Sequence, residues 1–136
     1  RCIVGAIKDA AITTDEIDLI SGHLTATFAD PHEVKNWVDA LQRGPDNFPW
    51  MNSTKSMIGH CLGAAGAIET AAAVLELYNG FVHPSVNCED LHPDIKPFGS
   101  RIPQECIYDP ELTTIAKASF GFGDVNSCLI IRKYKP

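Results

Sequence analysis

The sequence predicts an α/β fold carried by a mixed sheet in the order βαβαββ. Three observations predict it. Strand-like residues 17–23 and 48–52 flank one amphipathic helix, and a βαβ unit implies parallel strands with covering helices. Residues 59–78 form a Gly/Ala-rich run that is apolar nearly all round, which predicts a helix buried on most sides. Two β-like runs, 113–119 and 127–134, enclose Phe120-Gly121-Phe122-Gly123-Asp124, the pattern of a hairpin with a glycine-rich connection.

The elements follow in order. Ile3, Ala6, Ile7 and Ala10 lie at helical spacing, so residues 3–10 are expected to close a helix. Ile17-Asp18-Leu19-Ile20-Ser21-Gly22-His23 reads as a short buried strand ending in a turn. Asp30-Pro31-His32-Glu33 reads as a helix start, with Asp30 capping, Pro31 at the first helical position and Glu33 completing a capping box. Val34, Trp37, Val38 and Leu41 supply the apolar stripe, and Gly44-Pro45 ends the helix. After the Gly/Ala-rich helix, residues 81–87 are expected to be extended around Pro84, and residues 88–110 to be mostly loop.

Composition excludes several function classes. The chain has 136 residues, 45% of them hydrophobic, enough for a sizeable core and too apolar for disorder. Its 17 Asp and Glu against 11 Lys and Arg give a net charge of −6, which argues against nucleic-acid and anionic-membrane partners. The longest apolar stretch is broken by His60, Glu69, Thr70 and glycines, so a membrane span is not expected. Five cysteines at 2, 61, 88, 106 and 128 are odd in number and widely spaced. They favour a reducing, cytoplasmic setting over a disulfide framework or a zinc knuckle. The start at Arg1-Cys2-Ile3 is read as that of a piece of a longer or processed protein.

Lys55, His60 and Glu69 flank or interrupt the most apolar segment. A buried Glu69 needs a cation or a proton, and Lys55, at a strand-to-helix turn, is the nearest cation in sequence. A structural ion pair with a core histidine fits that spacing as well as a site does. His23 ends a strand and precedes Thr25 and Thr27, so it reads either as a catalytic group beside ligand-binding hydroxyls or as a turn histidine. Two histidines at separate corners of one sheet can converge. A metal site from His23, His60 and Cys61 is disfavoured, because neighbours on a helix point apart. His32, His83 and His92 read as solvent-facing or loop-bound.

Asn52-Ser53-Thr54-Lys55-Ser56-Met57-Ile58-Gly59-His60, followed by Leu62-Gly63-Ala64-Ala65-Gly66-Ala67-Ile68-Glu69, resembles the lysine/histidine signature of β-ketoacyl-[acyl-carrier-protein] synthases. The segment from Ser119 to Gly123 resembles that family's phenylalanine-glycine loop, and the segment from His23 to Thr27 its histidine-threonine motif. Pro84-Ser85-Val86-Asn87 is similar as well. The resemblance covers essentially this whole chain and only the C-terminal part of the family's length.

The resemblance implies that residues 1–136 are the C-terminal half of a thiolase-like fold. It implies decarboxylative Claisen condensation, in which a malonyl group loses CO2 and the carbanion attacks an acyl thioester. His23 and His60 would be the paired malonyl-site histidines, with Lys55 holding the network and Glu69 paired with it. Thr25 and Thr27 would bind the pantetheine arm, and Phe122 would be the gate with its N–H in the oxyanion hole. No cofactor is implied beyond substrates carried on the phosphopantetheine of acyl carrier protein. The implied partners are that carrier, the N-terminal half of the same chain and a second copy in a homodimer. The nucleophilic cysteine would lie in the N-terminal half, since none of the five here sits in the family's small-residue turn.

Leu24 stands where the family has glycine, Ala26 where it has serine, and Asp124-Val125 where it has glycine-threonine. Leu24 raises the question of backbone angle or space beside His23, and Asp124 adds a charge beside the gate. Two other readings stand next to the enzyme: a non-catalytic partner subunit resembling a chain-length factor, and a free-standing interaction domain. The isolated chain is expected to self-associate through apolar surface meant for the other half.

Overall fold

The computed structural model describes residues 1–109 and 111–134. The first helix, α1 (Cys2–Asp9), buries Ile3 and Ile7. Strand β1 (Leu19–Ser21) follows, then α2 (Asp30–Leu41) and β2 (Trp50–Asn52). A one-turn helix α3 (Lys55–Ile58) and a 3-10 turn lead into α4 (Ala65–Asn79). The strands β3 (Phe81–Val82) and β4 (Ile107–Tyr108) pair antiparallel as a small separate sheet. The long strands β5 (Thr114–Phe120) and β6 (Asn126–Arg132) close the described chain.

The main sheet has the order β2-β1-β5-β6. β1 runs parallel to β2 and to β5, while β6 returns antiparallel to β5. Its elements in chain order are βαβαββ, the expected mixed sheet. The short strands β1 and β2 lie inside the expected runs, β1 trimmed at both ends and β2 at its start only. Residues 88–110 carry more than loop: a 3-10 segment Lys96–Arg101 and β4. Pro110 lies outside the described residues.

Strand alternation sorts the core into two layers. Ile20, Met51, Ala116 and Ala118 face one way and pack with Ile3, Ile7, Val34, Trp37 and Leu41 of α1 and α2. Leu19 and Ile115 face the other way and pack with Ala73 and Leu77 of α4 and with Val82. The sheet is therefore covered on both faces, as parallel strands require.

Two local expectations are corrected. The helix predicted from residue 59 begins at Ala65, because Gly59 (φ 76°) and Leu62 (φ 48°) sit in the left-handed region and break the helical path. The helix turns Ala65, Glu69, Ala73, Glu76 and Leu77 inward, and leaves Ile68, Val74, Leu75 and Tyr78 on an open outer face. Asp30 and Glu33 do not cap α2. Ala29 is the N-cap, with no side-chain cap bond, because both carboxylates are engaged by the preceding loop.

Candidate functional site

The site lies at the carboxyl ends of β1 and β2, where an open α/β sheet places its functional loops. His23 follows β1 by two residues, and Lys55 follows β2 by three. The imidazoles of His23 and His60 meet edge to face, with ring centroids 5.3 Å apart. The two corner histidines thus converge.

The His23 loop is held by the first turn of α2. Glu33 accepts the His23 amide at 2.8 Å on Oε1 and the Leu24 amide at 2.9 Å on Oε2. Asp30 accepts the Thr25 amide at 3.0 Å on Oδ1 and the Ala26 amide at 3.0 Å on Oδ2. Four consecutive backbone donors end on two carboxylates at a helix N-terminus, where negative charge is itself favoured. Burial pushes the Glu33 carboxyl up, and the amide donors of His23 and Leu24 and the Trp37 indole offset part of that. Gly22 leaves room beneath this clasp: a Cβ there would stand 3.1 Å from Glu33 Oε1 and 3.1 Å from Leu24 Cγ, tight enough to push on both.

Leu24 keeps an ordinary backbone and packs against the core. The left-handed residue of this loop is Ala26, at φ 57°. Thr25 and Thr27 bring their hydroxyls within 3.1 Å of each other. Thr27 Oγ1 also accepts the Ala29 amide at 3.3 Å.

His60 is exposed, and its tautomer is fixed locally. The Leu62 amide donates to His60 Nδ1 at 3.0 Å. An accepting Nδ1 leaves the proton of a neutral imidazole on Nε2. His60 therefore presents an Nε2–H donor to a ligand. His23 is half-buried, and its Nδ1 is buried with no hydrogen-bond partner among the described residues. Burial holds the His23 imidazole below its ordinary pKa; Lys55, His60 and Lys117 push the same way, and Glu69 opposes them. A neutral ring at neutral pH follows.

Lys55 and Glu69 form a buried ion pair, their side chains 5% and 2% exposed. A second lysine, Lys117 of β5, stands 2.9 Å from the other oxygen, Glu69 Oε2, and is itself 2% exposed. Burial pushes the Glu69 carboxyl up, but the two ammonium groups outweigh it and hold it below the ordinary carboxylate value. Sequence reasoning missed Lys117. The available signal was its place in a strand flanked by Ile115, Ala116 and Ala118, which leaves no solvent face.

Of the two readings of His83, solvent-facing or loop-bound, the second holds: it lies in the loop after β3 and is buried, at 6% exposure. Its Nε2 lies 3.2 Å from Thr54 Oγ1, and its amide donates to Glu76 Oε1 at 2.8 Å. Asn52 Nδ2 donates to the same Glu76 oxygen at 2.7 Å. Ser53 and Ser56 add bonds to Ser85 and to the Val86 amide. This network ties the segment before Lys55 to the chain after β3.

The phenylalanine-glycine loop brings Phe120, rather than Phe122, to the histidine pair. The Phe120 ring meets His23 edge to face at 6.3 Å, whereas Phe122 is fully exposed at the hairpin tip. All five cysteines are free thiols. Burial, with nearby Cys2, pushes the Cys128 thiol up to about 12, and burial also raises Cys88. A nucleophilic thiol needs the opposite shift. Among the described residues no group of His, Cys, Asp and Glu has the arrangement of a metal site, and no helix is long and apolar enough to cross a membrane.

The sheet, covered on both faces, carries two facing imidazoles beside a buried Lys–Glu pair at the carboxyl ends of its parallel strands. The family described as "Beta-ketoacyl synthase, C-terminal domain" matches residues 1–89, and the chain belongs to that family. The matched span holds His23, Lys55, His60 and Glu69, while Lys117 and Phe122 lie beyond it. The chain is similar to chloroplastic 3-oxoacyl-[acyl-carrier-protein] synthase I of Hordeum vulgare, 33% identical over 135 residues, covering 99% of this chain and 28% of that protein. It is also similar to 3-oxoacyl-[acyl-carrier-protein] synthase 1 of Escherichia coli (strain K12), 40% identical over 119 residues, covering 88% of this chain and 28% of that protein. Its fold matches a type II polyketide ketosynthase solved in complex with its acyl-carrier protein, with a TM-score of 0.88 and 34% identity, over 99% of this chain and 32% of that one. The chain spans about 28% of the length of these curated relatives.

Proposed function

We propose that this chain is the C-terminal portion of a condensing enzyme that elongates acyl chains by decarboxylative Claisen condensation of an acyl thioester with malonyl-carrier protein. The observation that carries the reading is the facing pair His23 and His60 beside the buried Lys55–Glu69 pair.

The chemistry follows from the charges that develop. As the malonyl C–C bond breaks, CO2 leaves and its bonding electrons pass into the thioester carbonyl as an enolate. His60 Nε2–H donates to the developing oxyanion, and the neutral His23 ring beside it supplies the second contact. Donors fixed in place stabilise such charge without reorganising during the reaction, and removing one costs about 10²–10³-fold in rate. The enolate carbon then attacks an acyl thioester held on a cysteine, and the cysteine thiolate leaves. That cysteine belongs to an N-terminal half outside this chain. Thr25 and Thr27 contact the pantetheine arm, and exposed Phe122 acts as the gate, with its backbone N–H available to the acyl oxyanion. Acyl carrier protein delivers both thioesters on its phosphopantetheine, and no further cofactor takes part. The full-length protein works as a homodimer in a reducing, cytoplasmic setting.

Malonyl decarboxylation in the full-length protein tests the site. His60→Ala is expected to lose about 10²–10³-fold in rate and Lys55→Ala to lower it, and unchanged rates refute the assignment. The isolated 136-residue chain, offered an acyl donor, is expected to take up no stoichiometric thioester label.

A further inference from the structure

Lys117 is a lysine on the wrong face of a strand for a solvated side chain. Alternation along β5 turns Ala116 and Ala118 toward α1 and α2, and Ile115 and Lys117 toward α4. The strand is central, paired with β1 at Ser21 and with β6 at Leu129, so neither edge offers the ammonium a route to water. Its Nζ instead meets Glu69 Oε2 at 2.9 Å and the Ser119 hydroxyl. Lys55 occupies the opposite carboxylate oxygen. One buried carboxylate thus joins two buried ammonium groups from different elements.

That arrangement has more charge than a structural ion pair needs. Lys55 with Glu69 alone is a neutral pair whose field decays quickly. The second lysine turns the pair into a cation, and an imidazolium nearby is then disfavoured. We propose that Lys117 is a second lysine of the site, a positioning residue that pins the other oxygen of Glu69 and gives the buried Lys55–Glu69–Lys117 trio a net positive charge beside the two imidazoles. The proposal rests on the condensing-enzyme reading for its consequence: both histidines must be neutral to serve the enolate, and Lys117 extends the pH range over which His23 is neutral.

The groups facing His23 come from every neighbouring element. They are Lys55 of α3, His60 in the turn after it, Glu69 of α4, Lys117 of β5, and Glu33 and Asp30 of α2, which hold the loop amides. Lys117 itself faces Glu69, with the Cys128 thiol of β6 and Lys55 as the other ionisable neighbours. Among these, Lys117 is the cation that neither binds ligand in the proposed mechanism nor lies in the span the family profile matches.

The test is a histidine titration by NMR on the full-length protein, in wild type, Lys117→Met and Lys117→Arg, with malonyl decarboxylation measured over the same pH range. Loss of the charge is expected to raise the His23 titration by a resolved upward shift. The acid limb of the rate profile moves the same way, and Lys117→Arg restores both. A merely structural lysine lowers stability and leaves the titration where it was. An unmoved His23 in Lys117→Met overturns the proposal. Should that variant not fold, Lys117→Gln is the neutral substitute and carries the same test, and a His23 shift in Lys117→Arg, where the charge is retained, also overturns the proposal. His60→Ala run alongside separates the two readings. If it leaves decarboxylation intact, the proposed reaction fails, while the His23 titration still reports on Lys117.

Discussion

Glu69 and Glu76 sit seven residues apart on the inner face of α4, at 2% and 1% exposure, and burial pushes both carboxyl groups up, yet their net shifts are opposite. Glu69 lies between two ammonium groups and is held below the ordinary carboxylate value, although burial alone pushes it up. Glu76 receives only neutral donors, the Asn52 side chain and the His83 amide, with the His83 ring 3.8 Å away. Burial wins there and its carboxyl is raised. The same residue type, helix and depth therefore give a fixed anion at one end and a protonatable group at the other. Two ammonium groups overcome burial at Glu69, whereas the neutral donors and one imidazole at Glu76 do not. The anionic end faces the histidine pair, and the other end holds the segment that leads into Lys55.

The largest effect expected from breaking this contrast is at Glu69. Replacement by Gln leaves two buried ammonium groups facing a neutral amide, and losing one member of a buried ion network costs about 3–5 kcal/mol. The pH dependence has a definite sign. A carboxyl with a lowered folded pKa contributes stability above its ordinary value of 4.5, and that stability disappears as pH falls through the lowered value. The gap between wild type and Glu69→Gln in denaturant unfolding of the full-length protein should be widest near neutrality and close on acidification. A gap independent of pH would mean that the carboxylate charge is not what the lysines bind.

A smaller effect is expected at Glu33. Gln offers one acceptor where the His23 and Leu24 amides need two, so one buried donor is left facing an NH2 group. An unmade buried hydrogen bond costs about 1–3 kcal/mol. The loss should be local, appearing as faster amide hydrogen exchange over residues 23–26 before any change in the α4 core. Unaltered exchange at those amides would remove the clasp from the account of how His23 is held.

The unequal legibility of these regions has physical causes. β5 and β6 could be read because period-two apolar residues flank a turn with two glycines, both local signals. His23, Lys55, His60 and Glu69 could be read because each stands at an element corner or interrupts an apolar run. The start of α4 could not. Gly59, Gly63 and Gly66 all weaken a helix, but only the folded chain shows that Gly59 and Leu62 take left-handed angles. Lys117 carried a burial signal in its apolar strand, but its partner Glu69 lies 48 residues away on α4, so the ion contact itself is a tertiary fact. The partners of Asp30 and Glu33 were missed for a related reason: a carboxylate in a helix's first turn has the same sequence signature whether it serves its own helix or the loop before it. The burial of His83 was not legible because Glu76, the acid that accepts its amide, lies seven residues earlier on a helix that had to be placed first.

The smallest effect is expected at Glu76, and its sign separates the two acids most clearly. A carboxyl with a raised folded pKa contributes stability below its ordinary value of 4.5 and loses it as pH rises through the raised value. Wild type is thus carrying a disfavoured charge, or a retained proton, at neutral pH. Glu76→Gln keeps an acceptor for Asn52 and His83 and abolishes that titration. Its net change near neutrality should stay within about 1 kcal/mol. Relative to wild type it should gain stability as pH rises from acid, opposite to Glu69→Gln, which should lose it. Paired denaturant series on the two variants check this in one experiment. Slopes of the same sign would show that the charge of the partners does not set the difference between the two ends of α4.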